Sequence, residues 1–518
     1  MKRLLFVGFL LASLLLANAQ VVSDTLLHEI VIGRNFKTNS DIKAIERVFP
    51  DNINSWHIDD STKVLTLQLR GSKDNNGKDL NENGEIVSYD LNMRKIRWQQ
   101  DFDYKNSKLE LYNKVLMKTT NNQSSRLNDE TGETQWQAKN TIYYVSATLG
   151  IGVGYRCKSS DDFSNRLEGI DLNTGKVLWK REVDRAYGMN DIVALNDSVI
   201  LILADGVHAV DLKTGVGWDY NAKTGKKDYS ATIAANIFSF GLGMLTGSDP
   251  QIYTGHDLYT DMVSNVLTDS SGIYLANKLS VVKLSHNGFV FWERKLPSGL
   301  AGKSSLFLKG NQLIMVNWGF AYMNGEQVHY GKPFVAAFDC NSGKQNFLQT
   351  IDYRNERINA FDLRQDTIYM LSKNRIFKYS LKSGDELLEQ NFKVDSIGKF
   401  TEFAAKDMYL ETDSTFVNLY TSDSTRIYVY TDKNKLMVLN NKLEPIRAIP
   451  LQDIFYCYFE WKGCKFLENG NITVVIDSKG KEVAELNINS NVQIRGNRLF
   501  QVEGNSFVEL NIDQLIPK

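Results

Sequence analysis

The stretch GIDLNTGKVLWK, Gly169–Lys180, reads as the end of one strand, a tight turn and a second strand running into Trp179. Asp171 follows the apolar Ile170, and its carboxylate suits a bond to its own backbone two residues on. Thr174 adds a second such bond, and Gly175 takes the positive φ that a tight hairpin turn demands. The turn is encoded locally. Whether the unit is a chemical site or a structural tile depends on how often it returns.

It returns along the whole chain. Aligned on Gly175 are YDLNMRKIRW (Tyr89–Trp98), LNDETGETQW (Leu127–Trp136), VDLKTGVGWD (Val210–Asp219), KLSHNGFVFW (Lys283–Trp292), FDCNSGKQNF (Phe338–Phe347) and YSLKSGDELL (Tyr379–Leu388). Weaker copies follow at VLNNKLEPI (Val438–Ile446) and VIDSKGKEV (Val475–Val483). Most turn positions lie 37 to 43 residues apart, the period of a four-stranded propeller blade, and three longer gaps must carry insertions. Trp98, Trp136, Trp179, Trp292 and Phe347 occupy one column four residues after the turn position, with Trp218 one place early. A shared column implies that these rings pack between neighbouring blades. The same aspartate recurs at Asp90, Asp211, Asp339 and Asp477, and a catalytic residue does not need five copies. Asp171 is therefore read as part of a tile.

The text between the turns is short and strand-like, rich in Ile, Val, Tyr and Leu, punctuated by Asn, Asp and Gly, and interrupted by only 7 Pro. NSDIKAIERVF is the best helix candidate, with Ser40 as its cap. The expected fold is all-β: a β-propeller of four-stranded blades, eight by this count, with seven or nine left open by the two weakest copies. Ring closure is expected to pair early strands such as Val64–Leu69 with C-terminal text such as NRLFQVEGNSFVELNID, because an open sheet edge is a pairing hazard.

The chain opens MKRLLFVGFLLASLLLANAQ: two basic residues, an apolar run from Leu4 to Leu16, then Ala17-Asn18-Ala19. This predicts a signal peptide over 1–19, an exported protein in the periplasm or outside the cell, and no membrane span once it is removed. The apolar run is shorter than the roughly 20 residues a spanning helix needs. The expected division is a segment 20–55 with a short helix, then a propeller over 56–518 interrupted at about 219–266. With 60 basic against 61 acidic residues there is no charge surplus to draw nucleic acid. Four Cys are too few for a disulfide scaffold. Cys457 and Cys464 bracket a turn-like segment and are the candidate disulfide, while Cys157 and Cys340 read as buried small hydrophobes.

The unit apolar-D-x-x-T-G-x-x-x-W resembles the pyrroloquinoline-quinone-like propeller repeat, the tryptophan-docking motif. That repeat occurs in quinoprotein alcohol dehydrogenases and in the propeller lipoprotein of the outer-membrane barrel assembly machinery. The resemblance runs from about Trp56 to the C-terminus and implies the fold. A dehydrogenase of this kind would need a quinone on a central Trp, a calcium site, an aspartate base and often an adjacent Cys pair. No two Cys are adjacent here, and no base or ligand set is legible. The favoured function is a non-catalytic exported propeller that binds or scaffolds a protein partner in the bacterial envelope. The alternatives are a quinone- and calcium-dependent oxidoreductase or a carbohydrate- or peptide-binding propeller.

Two segments offer candidate sites. In DLNENGEIVSYD, the residues Asp79, Asn81, Asn83 and Asp90 fall at positions 1, 3, 5 and 12 of a calcium loop, although a bidentate Glu is missing and Asp90 already serves a repeat turn. Between Trp218 and Val266 the period breaks, and the apolar run Ile233–Leu245 supplies Ile237, Phe238, Phe240 and Met244 as candidate partner-binding residues.

Overall fold

The computed structural model describes residues 26–515 except 72–81, 113–114, 121, 158–162, 186–188, 190, 205, 223–261, 324–325, 352–356, 394–396, 405–406, 414 and 423–424. Eight free-standing four-stranded antiparallel sheets follow one another along the chain: blade 1 (53–103), blade 2 (107–138), blade 3 (140–182), blade 4 (191–221), blade 5 (267–295), blade 6 (304–350), blade 7 (360–391) and blade 8 (400–450). Two more four-stranded units lie inside an eleven-stranded sheet. Blade 9 spans 454–486, and blade 10 joins the strands Val492–Arg495, Arg498–Glu503 and Ser506–Asn511 to Ser40–Val48 near the N-terminus. The described residues thus form a β-propeller of ten four-stranded units, two more than the sequence count of eight.

The cores close the ring. Each apolar cluster is shared by two consecutive blades, from Ile86 and Phe102 of blade 1 against Leu109 and Leu116 of blade 2, through to blade 9 against blade 10. The last cluster sets Phe500 and Phe507 of blade 10 against Leu65, Leu67 and Tyr89 of blade 1. In blade 5 the two middle strands, Gly272–Ala276 and Ser280–Leu284, are covered on both faces and buried at every position. The outermost strand Val290–Lys295 buries only Trp292, which faces the next blade.

The tile behaves as its chemistry dictates. Asp171 Oδ1 accepts the backbone N–H of Asn173 at 2.7 Å and of Thr174 at 2.9 Å, and Gly175 N–H donates to Asp171 O at 2.8 Å with φ +70°. Asp90, Asp211, Asp339 and Asp477 accept turn N–H groups in the same manner. Each indole then docks on the turn of the following blade. Trp136 Nε1–H donates to Leu172 O at 2.7 Å, and a Cβ on Gly175 would meet its ring at 2.7 Å. Trp98, Trp179 and Trp292 donate likewise to Asp129, Leu212 and Cys340 carbonyls, and so does Trp218, one place out of column, to His286.

Asp339 carries a measurable consequence. Its carboxyl is held below the usual range by the Ser342 backbone N–H and the Ser342 hydroxyl. A depressed folded pKa gives stability that is present above the unfolded value of about 3.9 and is lost as pH falls through the folded one. Asp339→Asn keeps an acceptor and removes the charge. The thermal midpoint of the variant is expected to fall less between pH 5 and pH 2.5 than that of the parent; parallel acid limbs would contradict this.

Three expectations are corrected. Ser40–Val48 is a strand, not a helix: Ile42 and Ala44 are buried at alternate positions, and the strand pairs with Ser506–Asn511 to complete blade 10. Ring closure therefore uses this strand, whereas Val64–Arg70 lies inside blade 1 between its own neighbours. The C-terminal half of the expected pairing, Arg498–Asn511, is where closure occurs. All four cysteines are free. Cys457 lies opposite Leu467 and Cys464 opposite Trp461, so the pair is separated by four strand residues, about 13 Å, beyond the ~7 Å that a disulfide tolerates.

Candidate functional site

In an antiparallel blade the first-to-second and third-to-fourth turns share one side of the ring, and all other links share the opposite side. The Asp–Gly turns occupy the first side. The strand ends that open into the long links lie on the second side: 70 and 83 in blade 1, 157 and 163 in blade 3, 221 and 267 between blades 4 and 5, 350 and 360 between blades 6 and 7, and 391 and 400 between blades 7 and 8. This side also carries a hairpin, Phe320–Met323 with Glu326–His329, inserted between the second and third strands of blade 6. The 404–426 insertion of blade 8 is the exception and leaves from the turn side.

On the long-link side, blades 6, 7 and 8 enclose a cleft of about 410 Å³. Its floor is Trp318, Phe320, Ile358 and Phe400. Trp318 is fixed by Nε1–H donating to Ser305 Oγ at 3.0 Å and by two neighbouring rings, Phe320 at 6.3 Å and Phe361 at 5.3 Å. Ile358 N–H donates to Trp318 O at 3.1 Å, which joins the link after blade 6 to the blade's own inserted loop. Asn359 Nδ2 donates to Phe400 O at 3.2 Å and ties the third wall to the second.

The rim is polar and exposed. The Arg357 guanidinium lies 5.9 Å from the centre of the Phe320 ring and donates to Gln327 Oε1. Lys399 and Asp432 clamp each other through the backbone: Lys399 N–H donates to Asp432 Oδ1 at 2.8 Å, and Asp432 N–H donates to Lys399 O at 2.9 Å. Lys303 stands 5.7 Å from the Phe320 ring and 5.2 Å from the Tyr322 ring. Aromatic carbon below and mixed charge above suit recognition of an apolar group flanked by polar ones.

The sites expected from sequence are placed differently. Asn83 and Asp90 are the two ends of one eight-residue strand, about 23 Å apart at the usual rise, so they cannot share a cation. Asp90 is instead occupied by its turn, accepting from Asn92 and Met93. Asp79 and Asn81 lie outside the described residues, as do Ile237, Phe238, Phe240 and Met244. Among the described residues, no three His, Cys, Asp or Glu side chains gather as a metal site, and no helix is long and apolar enough to cross a membrane. The cleft is not foreshadowed by any motif. Its one sequence signal is the long gap between Gly288 and Gly343, which houses the inserted hairpin.

Residues 79–278 match the family described as outer membrane protein assembly factor BamB. No curated protein matches the chain. Similar solved structures include BamB from Moraxella catarrhalis, at 12% identity and a TM-score of 0.32, covering 78% of this chain and 96% of that one. Another is apo AztD from Citrobacter koseri, at 11% identity and a TM-score of 0.31, covering 71% and 92%. A third is the computationally designed Ika8 protein, at 10% identity and a TM-score of 0.31, covering 72% and 95%. At such scores the blade count and the closure rest on the sheets themselves. Over residues 79–278, the family match, the turn chemistry and the indole docking agree on the propeller repeat.

Proposed function

We propose that this protein is exported and serves as a non-catalytic scaffold in the bacterial envelope, engaging a partner protein with the long-link side of its ring. The observation that carries the reading is the asymmetry of the two sides: one is closed by tight Asp–Gly turns, and the other gathers the strand ends of nearly every long connection and the aromatic cleft. A rigid ring with variable links on one side is the usual arrangement of a recognition surface. The family match supports the envelope assignment, since the matched family is described as an outer-membrane assembly factor. In this reading the repeat is architecture, and the ring needs neither quinone nor calcium.

A photo-crosslinking residue placed at Thr401 on the long-link side, or at Lys344 in an Asp–Gly turn, tests the reading in the native envelope. A discrete crosslinked protein from position 401 and none from position 344 is the expected result. The same products from both positions, or none from either, would remove the support for a sided scaffold.

A further inference from the structure

Resting on that scaffold reading, we propose that the cleft across blades 6, 7 and 8 receives an extended acidic segment of the partner, one large aromatic side chain seated between flanking carboxylates. The size sets the first limit. About 410 Å³ suits one aromatic side chain and its neighbouring backbone rather than a folded domain. Trp318 sets the second: its N–H is already spent on Ser305, and its half-buried ring lines the cleft with aromatic carbon. A ligand ring packed against such a lining adds to the burial of area.

Charge sets the sign of the ligand. Among the described residues that line the cleft, two cations, Arg357 and Lys399, stand against one carboxylate, Asp432, so the described lining carries an excess of one positive charge. Arg357 is oriented by Gln327 and by the Phe320 face, and a guanidinium held over a ring keeps its outer edge for a carboxylate. Lys399 is exposed, with its backbone clamped to Asp432 on both sides of the peptide group. A neutral or basic peptide would leave this excess uncompensated.

The test uses the purified protein and a fluorescein-labelled peptide of order Gly-Asp-Asp-Phe-Glu-Asp-Gly, followed by anisotropy at low salt. Saturable binding is expected, weakened at least tenfold by Arg357→Glu or Lys399→Glu and by a peptide with Asn and Gln in place of its acids. Lys176→Glu, in an Asp–Gly turn on the other side, is expected to leave binding unchanged. All three substitutions are at exposed positions, and unaltered thermal midpoints confirm that they report on recognition. Absence of saturable binding, or equal loss in all three variants, overturns the assignment. Where a partner crosslinks at Thr401 and excess peptide does not displace it, the cleft assignment falls and the scaffold reading stands. Tight, charge-dependent peptide binding with no crosslinked partner upholds the cleft assignment and removes the scaffold reading.

Discussion

Replacing Glu509 with alanine is expected to destabilise the protein by about 3–5 kcal/mol, the usual cost of leaving a buried charge without its counter-ion. Arg47 comes from the N-terminal strand that completes blade 10, and its side chain is 3% exposed. Its Nη2 lies 2.8 Å from Glu509 Oε2 on the C-terminal strand, while its Nε and Nη1 find no hydrogen-bond partner among the described residues. The guanidinium also sits 5.9 Å from the centre of the Tyr89 ring in blade 1. One buried cation thus touches both chain ends and the first blade. Glu509 is held from the other side by Arg498 at 2.6 Å, but that arginine is half exposed and contributes less. Urea unfolding followed by tryptophan fluorescence measures the loss. The double variant Arg47→Met, Glu509→Leu is expected to recover most of it, since apolar replacement of a buried pair is often neutral. A single-variant loss below about 1 kcal/mol would mean that the pair is hydrated, as exposed pairs are, and that the closure rests on strand pairing alone.

That closure is the least legible part of the fold. A turn such as Asp171–Gly175 is specified by four or five adjacent residues, so it can be read without knowing its neighbours. The pairing of Ser40–Val48 with Ser506–Asn511 is specified only by the two ends of the chain meeting, and the N-terminal strand by itself has a pattern that a helix satisfies equally well. Tertiary pairing decides between them.

The blade count falls short for a related reason. The repeat is recognised by the turn between the third and fourth strands, and the last blades dilute that signal. In blade 8 the glycine position is Leu443, with φ +64°, buried and bonded back to Asn440. In blade 9 the turn at Gly480 receives no indole; Phe416, from the blade 8 insertion, donates its backbone N–H to Gly480 O instead. Blade 10 has no such turn at all, because its outer strand arrives from the other end of the chain. Nine turns therefore serve ten blades.

The cleft is illegible for yet another reason. Trp318, Arg357 and Lys399 come from links after three different strands, and nothing in their spacing announces that Ile358 N–H will meet Trp318 O. Sequence pattern reports residues one element apart. It does not report which links the ring brings together, so the longest apolar insertion stands out in the sequence and the cleft does not.

Trp179→Ala is expected to cost about 3–5 kcal/mol, the range for removing a large buried aromatic. The ring is buried between blades 3 and 4, its Nε1–H donates to Leu212 O at 2.7 Å, and its face is covered by Gly215. Trp179→Phe should cost far less, about 0.5–1.5 kcal/mol for the lost hydrogen bond, and the chain contains its own precedent in Phe347 docked on Gly384. Gly215 supplies the decisive comparison. Its φ is +73°, and an added Cβ would stand 2.6 Å from Trp179 Cδ2, so Gly215→Ala suffers both backbone strain and a clash. The left-handed conformation alone costs a non-glycine residue about 1–2 kcal/mol. In the Trp179→Ala background the clash disappears and only this backbone part should remain. The two substitutions are therefore expected to be strongly non-additive in chemical denaturation, with the double variant more stable than the sum of the singles predicts. Additive losses would show that the glycine is required for its backbone angle alone and that the indole does not select it. Non-additivity would establish that turn and ring are one device split across two blades, which is why the pair recurs around the ring and needs no catalytic explanation.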